Sequence, residues 1–190
     1  MKTKLEPITF ITGNKKKLEE VQAIIPYVHA KSMELPEIQS LDMREVVAYK
    51  IKHALAQCNA PIIVEDTAVY MDCLKSQDGT PGLPGPFVKW FLETIGNRQL
   101  YEIACCFNNM RAYGKTVVGY APDAHTILFF EGEVHGTIVE PTGKQGFGWD
   151  FVFKPDACGV TLGSLPLEER IKCNQRGIAV QKLKEYLEKG

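Results

Sequence analysis

The sequence predicts an α/β fold, a mixed sheet with flanking helices in two lobes around a central substrate cleft. Three observations point there: a short buried strand that turns straight into a helix, a second buried strand that leads into an acidic pair, and a group of antiparallel strands in the middle of the chain. At 190 residues the chain suits one domain spanning 1–190, with room for a substantial core.

The first element, Pro7 to Thr12, is short, apolar and β-branched, as a buried strand should be. Gly13 and Asn14 break it. Leu18, Val21, Ile24 and Ile25 then recur at helical spacing, which places Lys15, Lys16 and Lys17 in the turn entering a helix. From Asp42, an N-cap residue with Glu45 at the capping-box position, a second helix carries Val47, Ile51, Ala54, Leu55 and Cys58 on one face and stops near Asn59 and Pro61. Pro61 to Val64 predicts another buried strand with Glu65 and Asp66 at its C-terminal end.

Gly79, Pro81, Gly82, Pro84, Gly85 and Pro86 mark the stretch from Ser76 as a loop. Pro86 suits the first position of a helix through Trp90 and Leu92, and Gln99 to Phe107 suits a further short helix. Thr116 to Tyr120, Thr126 to Phe130 and Val134 to Val139 read as antiparallel strands joined by short Gly or Asp turns. A last helix is expected over about Gly177 to Glu188, with Ala179, Leu183, Tyr186 and Leu187 on one side.

Composition narrows the function. With 22 basic and 23 acidic residues, the net charge of -1 argues against a general polyanion-binding surface, so no nucleic-acid partner is expected. No apolar run approaches the length of about 18 residues that spans a membrane, and a cytoplasmic protein is expected. The six cysteines include no C-x-x-C pair and are read as reduced. The four histidines lack ligand spacing, so any metal should be held by oxygen.

Three constellations carry chemistry. The turn Thr12-Gly13-Asn14-Lys15-Lys16-Lys17 joins a strand to a helix start, where backbone N–H groups and lysines attract phosphate; a solvated lysine run capping the helix fits the turn alone equally well. No Walker A pattern is present. Glu65 and Asp66, at a strand end, suit a hard cation such as magnesium, with Glu37 as a second ligand, although an ordinary acidic turn has the same sequence. Gly146-Phe147-Gly148-Trp149-Asp150 sets aromatic faces between glycines, an arrangement that stacks on a base or serves as a tight turn with core aromatics.

Together these segments resemble the inosine triphosphate pyrophosphatase family over nearly the whole chain. The resemblance rests on Thr12-Gly13-Asn14 with Lys17 to Val21, Leu35-Pro36-Glu37, Val64 to Thr67, Gly82 to Pro86 with Lys89-Trp90-Phe91, and Phe147 to Asp150, in that order. It implies an elongated two-lobed α/β enzyme, a homodimer, that uses Mg2+, or Mn2+ in its place, to cleave inosine and xanthosine triphosphates to the monophosphate and pyrophosphate. Carried over residue by residue, Thr12, Gly13, Asn14, Lys15, Lys16 and Lys17 bind the triphosphate, Lys50, Thr67 and Lys89 assist, and Glu37 and Asp66 hold the metal. Asp66, with Glu65 and Lys17, is catalytic, and Phe147, Gly148, Trp149 and Asp150 form the base pocket.

The C-terminal segment departs from the family pattern of a lysine-asparagine pair followed by serine-histidine-arginine. Arg170 stands for the lysine, Gln175 for the histidine, and Arg176 is kept; the resemblance implies that all three contact the substrate. Glutamine cannot become a cation and arginine lacks lysine's compact head, so an altered base preference is the alternative expectation. A nucleotide sensor without catalysis is a third.

Overall fold

The computed structural model describes residues 7–189. A seven-stranded mixed sheet is built from β1 (Ile8–Ile11), β2 (Val28–Lys31), β3 (Ile62–Met71), β4 (Pro84–Gly85), β5 (Arg111–Ala121), β6 (Leu128–Ile138) and β7 (Phe153–Pro155). Six helices flank it: α1 (Lys15–Gln22), α2 (Met43–Leu55), α3 (Val88–Thr94), α4 (Gly96–Cys106), α5 (Leu167–Cys173) and α6 (Gln175–Lys189). Strand order is β2-β1-β3-β5-β6-β7, with β4 on β3; β1 pairs in parallel with β2 and β3, and the other pairs are antiparallel.

The strand expected to end at Val64 continues to Met71, so Glu65 and Asp66 lie in mid-strand. The reason is that Thr67 to Met71 is as apolar and β-prone as the residues before the acids, and β5 pairs with β3 along all of it. One edge of β3 is therefore continuous. The other edge is interrupted: β1 pairs only with Ile62 and Ile63, β4 pairs only with Val69 and Tyr70, and the segment 64–68 between them has no strand beside it. That gap in the sheet is the floor of the cleft.

Alternation along β3 sends Glu65 and Asp66 to opposite faces. The Asp66 face carries Ile62, Val64 and Ala68 against Val47, Ile51 and Ala54 of α2. On the other face Ile63 joins Val21 of α1 and Ala179, Val180 and Leu183 of α6. A third cluster, around Val69, Leu100, Trp149 and Phe153, fills the far end and forms the second lobe.

Three further expectations change. Thr126 to Phe130 and Val134 to Val139 are one strand, β6, because Gly132 does not turn the chain; it lets α6 approach so closely that a Cβ there would run into the Gln175 carbonyl. The turn at Asp123 does form, its carboxylate accepting the His125 and Thr126 N–H groups. Cys158 and Cys173 are joined in a disulfide, which corrects the expectation of six reduced cysteines for this pair; the segment after β7 lies against the end of α5, bringing their Cα atoms to 6.9 Å. Glu45 does not close a capping box: Asp42 caps the Arg44 N–H, and the Glu45 carboxylate takes the Ser40 hydroxyl. Strands β2 and β7 and helix α5 were not legible, being short and, in β2, mostly exposed. No helix among the described residues is long and apolar enough to cross a membrane.

Candidate active site

One end of the cleft begins with the cap of α1. The Asn14 side chain accepts the Lys16 and Lys17 N–H groups at 3.0 and 3.2 Å and the Thr12 hydroxyl accepts the Asn14 N–H at 3.1 Å, fixing the turn. An asparagine cap contributes about 1 kcal/mol and sets where α1 starts. Lys17 thereby points into the cleft, against the Glu65 carboxylate. Lys15 and Lys16 do not line it; Lys16 pairs outward with Glu19 at 3.6 Å.

Lys50 occupies the middle. It rises from the buried face of α2, with Nζ 2.7 Å from Glu37 Oε1 and 3.1 Å from Asp66 Oδ1. Two carboxylates from distant parts of the chain thus converge on one cation. Burial lowers the Lys50 ammonium, but Asp66 and Glu37 outweigh it and raise it, so it stays charged. Glu37, raised by burial, is brought below its usual range by Lys50, Lys89 and Lys17.

The adjacent acids on β3 have opposite environments. Burial would raise Glu65, but the Arg176 guanidinium and Lys17 hold it down at about 2. Asp66 is raised: there burial, with Glu65 nearby, outweighs Lys50 and Lys17. Glu65 is an ionised anchor, while Asp66 is a poorly solvated carboxylate.

The far end holds the glycine–aromatic segment. Gly146 and Gly148 have φ of 82° and 61°, conformations that favour glycine and fold the loop so that the Asp150 carboxylate accepts the Phe147 N–H at 2.9 Å. Trp149 packs edge-on to Phe153 at 5.2 Å between ring centroids, and the Arg176 guanidinium lies over the Phe147 ring at 5.3 Å. Burial, reinforced by the Glu20 charge, pushes Asp150 up to about 7 against the Phe147 N–H, Arg176 and Arg170.

This gives a pH expectation. The folded protein holds the Asp150 proton up to about pH 7, whereas the unfolded chain releases it near its usual 3.8, so stability falls as pH rises between these values and levels off above. Asp150→Asn, which mimics the protonated acid, should remove about 2 kcal/mol of the loss between pH 5 and pH 8. Urea midpoints of both proteins at the two pH values measure it, and parallel pH profiles would contradict it.

Behind the cleft lies a buried network that sequence reading missed. Glu20 of α1 is 1% exposed and receives Arg170 Nε at 2.8 Å, Asn174 Nδ2 at 3.1 Å and Arg176 Nη1 at 2.5 Å. Arg176 continues to Glu65 at 3.1 Å and to the Thr67 hydroxyl at 3.1 Å. Arg170, assigned to the substrate by resemblance, instead faces Glu20 and does not line the cleft. Nothing local marks Glu20 as a hub; the available signal was the pair of arginines at 170 and 176, which need counterions if buried.

One cleft of about 980 Å³ connects these parts. It is lined by Thr12, Gly13, Asn14 and Lys17, by Glu37, Lys50, Glu65, Asp66 and Thr67, by Lys89 and Trp90, and by Phe147 to Asp150, Gln175 and Arg176. Lysine-bearing, carboxylate-bearing and aromatic parts therefore share a single cavity of a size that holds a nucleotide.

Comparison with known proteins agrees. An inosine triphosphate pyrophosphatase of Kluyveromyces lactis is 37% identical over 191 residues, covering 95% of each chain. Inosine triphosphate pyrophosphatase 2 of Trypanosoma cruzi is 40% identical, covering 94% of this chain and 91% of its own. The structure of a HAM1 protein from Coxiella burnetii shares the fold with a TM-score of 0.79 and 22% identity over 96% of this chain and 98% of that one. The Ham1 family matches residues 8–186, and the chain belongs to that family.

Proposed function

We propose that the protein is a nucleoside-triphosphate pyrophosphatase that removes non-standard purine nucleotides, among them inosine, deoxyinosine and xanthosine triphosphates, from the nucleotide pool. The observation that carries this reading is the union, in one cleft, of the Asn14–Lys17 turn, the Glu37–Lys50–Asp66 cluster and the Phe147–Asp150 segment.

In this reading Lys17 and the turn hold the β- and γ-phosphates, and Lys50 and Lys89 line the path of the departing group. Water attacks the α-phosphorus as Asp66 accepts its proton; the bond from the α-phosphorus to the bridging oxygen breaks, and pyrophosphate leaves with the charge that the lysines stabilise. Glu65 stays ionised and positions Lys17 and Arg176.

Magnesium suits the donor set. Glu37 and Asp66 are hard oxygen donors already gathered on one cation, Lys50, and no cluster of three or more potential ligands occurs among the described residues. Two carboxylates plus substrate phosphates are the usual protein share of a magnesium site. Bound there, magnesium, or manganese in its place, neutralises triphosphate charge. We further place the enzyme in the cytoplasm as a homodimer, without nucleic-acid or membrane partners.

Mixing the protein with inosine triphosphate and magnesium should release pyrophosphate and inosine monophosphate. Orthophosphate as the product would refute the cleavage site, and tight binding without turnover would make the protein a sensor. Light scattering of the purified chain decides between dimer and monomer.

A further inference from the structure

At the base end of the cleft the polar side chains are already engaged, with one exception. The Arg176 guanidinium is divided among Glu20, Glu65 and Thr67, and one Asp150 oxygen takes the Phe147 N–H. Gln175 is 2% exposed, lines the cleft, and its buried Oε1 has no hydrogen-bond partner among the described residues. The fold makes room for it: Gly114 of β5 is a glycine against which a Cβ would stand 2.5 Å from Trp149 and 3.1 Å from Gln175 Oε1. A buried amide left unpaired costs about 1 to 3 kcal/mol, which a ligand able to pair with it recovers.

We propose that Gln175 reads the edge of the base with a carboxamide able to present either order of donor and acceptor, so that this residue accepts 6-oxo and 6-amino purines alike. The inference rests on the nucleotide-cleaving reading of the cleft. The chemistry follows from the amide itself. Its oxygen accepts the N1–H of a 6-oxo purine while its NH2 donates to O6; turned by half a rotation, the oxygen accepts the 6-amino N–H of adenine while the NH2 donates to N1. A side chain that only donates rewards O6 and leaves the adenine amino group facing another donor. Glutamine therefore strengthens purine binding at this position without sorting 6-oxo from 6-amino bases, and sorting falls to the other groups of the pocket.

The test is equilibrium titration, in magnesium, of wild type and Gln175→Leu with α,β-methylene analogues of inosine and adenosine triphosphates and with inorganic tripolyphosphate. Leucine keeps the approximate volume and removes both hydrogen-bonding ends. Both analogues should bind about tenfold more weakly to the variant, with the two factors equal to within about threefold, while tripolyphosphate affinity is unchanged. Loss confined to one base would overturn the proposal, as would unchanged binding of both or an equal loss for tripolyphosphate. Because the methylene bridge of the two analogues blocks cleavage at the α-phosphorus, the base comparison is independent of the pyrophosphate assay, whose failure would count against the activity and not against base reading.

Discussion

Asp66→Asn lowers kcat for inosine triphosphate hydrolysis by about 10² to 10⁴, the range expected for removal of a general base. The same change leaves the melting temperature level or raises it. Burial has already raised the Asp66 carboxyl, so a neutral isostere relieves a desolvated charge, and Lys50 keeps Glu37 at 2.7 Å as its counterion. The neighbouring Glu65→Gln behaves in the opposite way. Its carboxylate, held down at about 2, is stabilised by Arg176 and Lys17, and its neutralisation leaves two buried or half-buried cations short of a partner. Thermal melts and steady-state rates on both variants make the comparison; full activity in Asp66→Asn would refute the assignment of the base.

The largest effect on stability is expected at Glu20. Glu20→Ala removes the carboxylate that Arg170, Asn174 and Arg176 share, in a site where both arginines are themselves only 3% exposed. Deleting one member of a buried ion network costs about 3 to 5 kcal/mol, because the partners are left charged and desolvated. For a chain of this size that lowers the melting temperature by about 10 °C. Glu20→Gln, which retains acceptance from Asn174 or one arginine, should lose less. A surface glutamate such as Glu19, exposed and paired only with Lys16, provides the comparison and should change little. A Glu20→Ala melt within a degree or two of wild type would show that the network relaxes without cost.

The strand-to-helix turn was legible because its signals are local: a β-branched run, Gly13, a capping Asn14 and lysines at the helix start lie within ten residues. The same holds for Asp42 capping α2 and for the glycines that flank Phe147. What was not legible depends on partners far away in sequence. Periodicity could not say whether β3 stops at Val64, since β5 supplies the pairing that carries it to Met71. Gly132 looks like a turn residue until α6 is seen pressing on it, and Arg170 looks like a ligand contact until Glu20 is seen beside it. Cys158 and Cys173 have no motif spacing; only the approach of the segment after β7 to the end of α5 makes them neighbours.

The Glu20 network also bears on how the protein is made. Its hydrogen bonds join residues 150, 154 and 156 positions apart, linking α1 to α5, to the residue after it and to α6. Loop closure of that length comes late, after the intervening strands have supplied a surface for these helices. During synthesis Glu20 and Glu65 emerge more than a hundred residues before Arg176 and wait for it, Arg176 lying 111 positions after Glu65 and 156 after Glu20. The Asn14–Lys17 turn therefore reaches its final electrostatics only after α6 has emerged, and a product truncated before α6 would carry the lysines and carboxylates of the cleft without the arginine that sets their balance.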